Sequence, residues 1–133
     1  MRALATAVVL LFCTAGCGGT KRVQLYPGEP LSRSVLSLIH SNDRATLATL
    51  DGQPVESGDS DYVYELQPGF HRITMKLRGR GPGGTARFQY DFEPGRRYGF
   101  TVTETRGDKG WLSQWEASLA DYDTGAVVAT ALP

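Results

Sequence analysis

The chain has 133 residues, which is enough for one domain with a hydrophobic core but too few for two domains of ordinary size. Its 14 basic and 14 acidic side chains give a formal net charge of zero, so the composition carries no electrostatic footprint for nucleic acid. Sixteen glycines and seven prolines separate short runs rich in Val, Ile, Thr, Tyr and Phe, a pattern typical of an all-β chain with many tight turns.

The first residues are organised like an export signal. Arg2 supplies one positive charge, residues 3–12 are apolar or small without a break, and further small residues follow. Ten such residues in a helix would span about 15 Å, half of a hydrocarbon core of roughly 30 Å, so the segment is too short to cross a bilayer. We therefore predict a signal peptide over residues 1–16.

Both cysteines of the chain, Cys13 and Cys17, lie at the end of this segment. A disulfide between them would sit inside the apolar run, and the residues between them supply no metal ligands. The tetrad Thr14-Ala15-Gly16-Cys17 resembles the lipobox of bacterial lipoproteins, with Thr14 where that family most often has Leu. The resemblance implies acylation of Cys17, attachment to a membrane through this lipid and, because Gly18 rather than Asp follows, the periplasmic face of the outer membrane. The alternative is an ordinary secretory peptide that is cut nearby.

After a lipidated cysteine and tether over residues 17–22, alternating apolar residues predict a folded domain over residues 23–133. The segment 34–40 is apolar on both faces, as expected for a central strand. The regular spacing predicts a single antiparallel β-sandwich of about eight strands, of the Ig-like or transthyretin-like kind. The predicted strands cover residues 23–26, 34–40, 45–50, 62–66, 70–78, 86–93, 98–105, 111–119 and 127–131.

Dipeptides with glycine predict the turns between these strands. Asp51-Gly52 is typical of a tight turn with positive φ. Pro68-Gly69 and Pro94-Gly95 each predict a type II turn, and we expect each to close a hairpin. The stretch GRGPGGT at 79–85 has the glycine spacing of a phosphate loop, but a threonine replaces the lysine and no helix follows, so we predict a hairpin loop.

Residues 48–77 contain "LDGQPV", a loop and "YELQPGFHRITMKL", and this segment resembles PEGA-type surface modules of bacterial envelope proteins. "LYPGEPL" near the start and "DYDTGAVV" near the end are similar to segments of uncharacterised bacterial lipoproteins. The resemblance implies a small sandwich fold in the cell envelope. It supplies no catalytic residues.

The sequence contains no Gly-x-Ser-x-Gly elbow, no His-x-x-x-His pair and no cysteine nucleophile, so we expect no enzyme, no cofactor and no metal. His71 is in phase with the apolar Ile73 and Met75, and no carboxylate is evident on its face. We therefore interpret it as a histidine in the core or at its rim whose ring nitrogens bond to backbone. His40, at a strand end, is a second rim residue. The acidic loops 56–61 and 121–123 lack the spacing of a calcium loop and are expected to be solvated turns.

Trp111 and Trp115 share one face of a predicted strand. Core packing is the simpler interpretation, and an exposed platform that binds a glycan or peptidoglycan fragment is the alternative. The sequence thus favours a lipid-anchored, non-enzymatic envelope protein that gives structural support or docks a protein partner. The alternative is a glycan-binding module.

Overall fold

The computed structural model describes residues 19–58, 60–78, 84–106 and 113–133. Within these ranges the chain forms ten strands, one short 3₁₀ helix at Arg33–Val35, and no α-helix. The all-β class predicted from the turn-rich composition is therefore confirmed. The strands are β1 Lys21–Gln24, β2 Ser37–His40, β3 Ala45–Leu50, β4 Gln53–Pro54, β5 Tyr62–Leu66, β6 Gly69–Leu77, β7 Thr85–Phe92, β8 Arg97–Arg106, β9 Ser113–Asp121 and β10 Val127–Thr130.

The strands form two sheets, one of six strands in the order β1-β5-β2-β8-β9-β10 and one of four in the order β4-β3-β6-β7. Two pairs, β1 with β5 and β2 with β8, are parallel, so the prediction of a purely antiparallel fold is wrong at these pairs. The paired strands come from distant parts of the chain. No tight turn joins them, and their relative direction is therefore not restricted to the antiparallel one.

The main core lies between the two sheets, an arrangement consistent with a β-sandwich. On β7 the core side chains are Ala86, Phe88 and Phe92, and on β8 they are Tyr98 and Phe100, as the alternation predicts. The rings of Phe92 and Tyr98 meet edge to face, with centroids 5.0 Å apart. This geometry is the one that the charge distribution of aromatic rings favours.

A second, smaller apolar cluster covers the outer face of the six-stranded sheet. It contains Tyr26, Leu36, Leu38 and Val63, and the chain between β1 and β2 supplies its first two members. Burial on both faces confirms the prediction that β2 is a central strand. The predicted strand over 34–40 is too long, because residues Arg33–Val35 form the 3₁₀ helix instead.

The two Pro-Gly turns connect the sheets and do not close hairpins, so that prediction is wrong. β5 belongs to the six-stranded sheet and β6 to the four-stranded one, and the same change of sheet occurs between β7 and β8. β5 already has β1 and β2 as neighbours on its two edges, which leaves no edge for β6. The positive φ expected at Gly69 and Gly95 is nevertheless present, at 122° and 76°.

Two other turn predictions are confirmed. Asp51 and Gly52 both have positive φ, at 49° and 84°, as a tight turn of this kind requires. β6 and β7 pair as an antiparallel hairpin across the predicted loop, whose residues 79–83 lie outside the described ranges.

Candidate functional site

The most distinctive surface feature is a stack of two rings on the outer face of the six-stranded sheet. The rings of His40 and Tyr122 are 4.1 Å apart between centroids, with their planes 17° apart. Gly99 lies opposite His40 on β8, and a Cβ built there would be 3.4 Å from Cδ1 of Tyr122. A Cβ at this position would thus be in ordinary van der Waals contact with the tyrosine, whose ring lies close to β8. Tyr122 itself remains 53% exposed.

The turn after β9 holds Tyr122 in position. The buried carboxylate of Asp121 accepts hydrogen bonds from the backbone N–H groups of Asp123 and Thr124, at 2.9 and 3.0 Å. These bonds lower the pKa of Asp121, the one from Thr124 contributing most. The backbone N–H of Tyr122 donates to the carbonyl of Arg97 at 2.9 Å, and the Arg97 side chain pairs with Asp123. The turn that carries the ring of Tyr122 is thus fixed by its own hydrogen bonds and an ion pair.

The surroundings of His40 favour the neutral form of its imidazole. Burial lowers the pKa of the imidazole, and the positive charges of Arg97 and Arg33 lower it further, against a smaller opposing effect of Asp123. Its Nε2 atom is buried without a hydrogen-bond partner among the described residues. The guanidinium carbon of Arg97 also lies 5.0 Å from the centroid of the Tyr122 ring. Protonation of His40 would therefore place a further positive charge beside an existing one.

A depression of about 260 Å³ opens beside this stack. It lies where the chain enters β1, since the N–H of Lys21 donates to the carbonyl of Asp61 at 2.8 Å. The amide of Asn42 is used within the fold, donating to the carbonyl of Phe100 and accepting from two backbone N–H groups. Among the groups that can face a ligand are the ring of Tyr122 and the exposed carboxylates of Asp43 and Asp61. The lining residues are Thr20, His40, Ser41, Asn42, Asp43, Asp61, Tyr62 and Tyr122.

His71 lies at the core rim in phase with Ile73 and Met75, as predicted, and one of its two ring nitrogens bonds to backbone as predicted, whereas the other does not. Its Nε2 meets the carbonyl of Gln67 at 2.7 Å, whereas its Nδ1 meets the Asp51 carboxylate at 2.7 Å. The expectation that no carboxylate is near was wrong, because the turn after β3 brings Asp51 to this strand through a pairing that the local pattern does not reveal.

The Asp51 carboxylate has a structural partner on its second oxygen as well, which accepts the backbone N–H of Arg72 at 2.9 Å. Burial alone would raise the pKa of Asp51, but the bond from Arg72 and the contact with His71 outweigh it and lower the pKa. Both ring nitrogens of His71 and both oxygens of Asp51 are thus occupied within the fold. The pair joins one turn to one strand, and neither residue lines the depression beside Tyr122.

The remaining predicted site residues are placed as follows. Trp115 is partly buried and packs against the main core, with Ala117 and Leu119 on the same face of β9. Trp111 and Cys17 lie outside the described residues, so their predicted roles stay predictions. Of the acidic loop 121–123, both aspartates pair with arginines. In the described ranges no group of three or more His, Cys, Asp or Glu is placed to hold a metal ion.

Sequence reasoning missed the importance of Tyr122. It lies within a predicted loop, three residues after the predicted end of a strand at residue 119 and directly after the observed end of β9 at Asp121, and a tyrosine in such a position carries no periodic signal. The only available signal was its place between two aspartates in "DYDTG", a pattern that predicts a tightly capped turn. Its stacking on His40 depends on the neighbouring positions of β2, β8 and β9, which only the fold defines.

No protein-family model matches the chain, and neither a curated protein nor a solved structure matches it. The resemblance to lipoproteins and PEGA-type modules therefore rests on the quoted residues. The part of the chain that the structure describes contains no helix long and apolar enough to span a membrane.

Proposed function

We propose that this protein is a lipid-anchored, periplasm-facing envelope protein whose Ig-like or transthyretin-like sandwich supports the envelope or docks a protein partner. The anchor is the acylated Cys17 at the outer membrane. Support for the anchor comes from the charged residue, apolar run and small residues that precede this cysteine. The proposed activity is the binding of a partner. We assign the His71–Asp51 pair a structural role.

The short connection between the anchor and the fold supports a membrane-proximal position. β1 begins at Lys21, so only three residues separate Cys17 from the first strand. An extended chain covers about 3.3–3.6 Å per residue, so the first strand starts at most about 14 Å from the cysteine. Acyl chains contribute roughly 0.8 kcal/mol for each buried CH₂ group, which makes release of a multiply acylated protein slow. Partners must therefore be reachable close to the bilayer.

The exposed Tyr122 beside the depression is the observation that carries the docking proposal. Tyrosine is enriched at protein interfaces because it supplies a large contact area at a small cost in conformational entropy. Here the stack on His40 and the capped turn already order the side chain before any partner binds. Thr20 lines the same depression, so this surface lies at the anchored end of the fold.

A glycan or peptidoglycan fragment is the second candidate for this surface. The exposed carboxylates of Asp43 and Asp61 lie in the depression with Tyr122, and carboxylates beside an aromatic ring suit the hydroxyl groups of a sugar. The alternative platform of Trp111 and Trp115 remains a prediction, with Trp115 partly buried against the core.

Cell fractionation of Cys17→Ser tests the anchor. Because the cysteine precedes every described strand, we expect the variant to fold but to lose membrane association. Circular dichroism of the purified variant is the control for folding. Unchanged retention of a folded variant in the membrane fraction would discard the lipid anchor.

Site-specific photo-crosslinking in intact cells tests the docking surface. A photoreactive amino acid replaces Tyr122 in one variant and Phe70 in the control, since Phe70 is an equally exposed aromatic residue, at 59%, on the other sheet. We expect protein adducts from position 122 and few from position 70. Equal adducts at both positions would contradict a docking role for Tyr122, and adducts that a glycosidase removes would favour the glycan candidate.

A further inference from the structure

A second surface depression, a groove of about 240 Å³, crosses the outer face of the four-stranded sheet. The core residues Ile73 and Phe88 point inward on β6 and β7, so their sequence neighbours point outward into the groove. No aspartate or glutamate is among the described residues that line it. Its polar side chains are two guanidinium groups, two hydroxyls and one amide, from Arg72, Arg87, Thr49, Thr74 and Gln89.

The strand register brings the two arginines together. Arg72 lies opposite Gln89, and Thr74 lies opposite Arg87, so the arginines occupy one diagonal of a four-residue block. Diagonal neighbours on antiparallel strands are roughly 7–8 Å apart, within reach of long side chains. Thr49 continues the row on β3, opposite Thr74. Two positive charges thus share one groove with hydroxyl and amide donors, an arrangement that suits an anion.

One nearby carboxylate partly offsets the charge of Arg72, because Asp51 interacts electrostatically with this arginine. Asp51 already accepts the Arg72 backbone N–H and contacts His71. Lys76 adds a third positive charge further along β6, and Asp91, two residues beyond Gln89 on β7, lies diagonal to Arg72 on the same face without forming an ion pair with it in the described ranges.

The two groove arginines also differ from most other arginines of the described chain. Arg44, Arg96 and Arg97 each pair with a carboxylate side chain. The guanidinium of Arg72 has no such partner in the described ranges. Arg87 donates one hydrogen bond, to the carbonyl of Pro133 at 3.0 Å. A guanidinium has five N–H donors, so most donors of this pair remain available to a ligand.

From this geometry we propose that the groove binds a phosphate group, with Arg72 and Arg87 as its cationic ligands and Thr49 and Thr74 as hydroxyl donors. A phosphate monoester carries a charge of about −1.5 to −2 near pH 7, which two guanidinium groups match. The planar fork of arginine also fits two phosphate oxygens at once. The phosphate can belong to a soluble phosphate ester or, as a singly charged diester, to an anionic phospholipid headgroup. This site is separate from the Tyr122 surface and does not depend on the proposed docking function.

Titration of the ¹⁵N-labelled full chain in zwitterionic detergent with inorganic phosphate tests the proposal. Sodium chloride of equal ionic strength is the reference, and nuclear magnetic resonance follows the backbone N–H and arginine side-chain signals. We expect saturable shifts at Thr49, Arg72, Thr74 and Arg87. Arg72→Gln should weaken binding about tenfold or more, because it removes a charge-assisted hydrogen bond. Arg72→Lys, which keeps the charge but loses the fork, should lie between that variant and the unchanged chain.

Lys76→Gln is the matched control, because it removes one positive charge from the same strand without changing a groove residue. It should weaken binding much less than Arg72→Gln does. Equal weakening in Lys76→Gln and Arg72→Gln would overturn the site in favour of a general charge effect, and shifts that chloride reproduces would do the same.

A second arm identifies the source of the phosphate. The full chain is placed in phosphatidylcholine nanodiscs with or without phosphatidylglycerol, and the same signals are followed. Groove shifts that require phosphatidylglycerol and Arg72 would assign the site to a lipid headgroup. Saturation by inorganic phosphate without such lipid-dependent shifts would assign it to a soluble phosphate ester. Absence of Arg72-dependent shifts in both arms refutes the proposal.

Discussion

Replacing His71 with leucine separates a structural histidine from a functional one. The change removes two hydrogen bonds of 2.7 Å, one to the carbonyl of Gln67 and one to the carboxylate of Asp51. The leucine keeps an apolar contact with Phe92, whose ring centroid lies 6.0 Å from that of the imidazole. Packing should therefore change little, and the lost bonds should dominate the effect on stability.

The expected loss is about 1–3 kcal/mol in the free energy of unfolding, since each hydrogen bond contributes about 0.5–1.5 kcal/mol and unpaired buried groups cost more. The Asp51 side chain is 50% exposed, so water can replace its lost partner. The contribution of the hydrogen bond to Asp51 should therefore lie at the lower end of the range for a single hydrogen bond. The His71 side chain itself is only 17% exposed. If the loss in the free energy of unfolding exceeds the lower end of this range, the excess should come mainly from the carbonyl of Gln67, which is left without its partner.

Equilibrium urea unfolding of His71→Leu, Asp51→Asn and the double variant measures the loss of stability from each change and the coupling energy between the two changes. Asparagine tolerates the positive φ at this turn and keeps an acceptor for Arg72, so Asp51→Asn alone should cost less than about 1 kcal/mol. A coupling energy of about 0.5–1 kcal/mol between the two changes is expected for a half-exposed ion pair or hydrogen bond. Because the pKa of Asp51 is lowered in the fold, its contribution should be present above about pH 4 and lost as pH falls further.

Two results would refute this reasoning. Strict additivity of the two changes would show that the pair contributes nothing as a pair. A His71→Leu variant that folds with unchanged stability but loses a metal-binding or enzymatic activity would assign the histidine to a functional site.

The remaining predictions concern the dependence of stability on pH and the distance between the anchor and the fold. The pKa of His40 is lowered in the fold, so stability should fall as pH drops below about 6.5 and level off below the folded-state pKa. His40→Phe keeps a ring against Tyr122 and should remove this part of the acid sensitivity, as urea midpoints at several pH values will measure; an equal fall in both proteins would contradict it. A ~30-residue Gly/Ser spacer after Thr20 lets the fold move by an r.m.s. distance of about 30 Å, which should lower crosslinking to a membrane-proximal partner. Unchanged crosslinking in cells would show that proximity to the anchor is unimportant.

Local features of the sequence determined the class of structure and the position of most strands. β3 and β5 occur where their alternation and flanking turns predict them, and Asp51-Gly52 forms its tight turn. These features depend on neighbouring residues, because side-chain alternation and the positive φ of a turn are properties of a few consecutive positions. The same locality explains why His71 was correctly placed at the core rim.

Only the tertiary structure decided which strands are neighbours. Pro68-Gly69 predicts a reversal of the chain, but a reversal can return to the same sheet or cross to the other one, and the dipeptide does not distinguish these outcomes. The stack of Tyr122 on His40 and the diagonal of Arg72 and Arg87 both depend on pairing between strands. A shift of one residue in register would turn a strand's side chains to the opposite face. Sites assembled across strands are therefore set by long-range burial, which no short stretch of sequence contains.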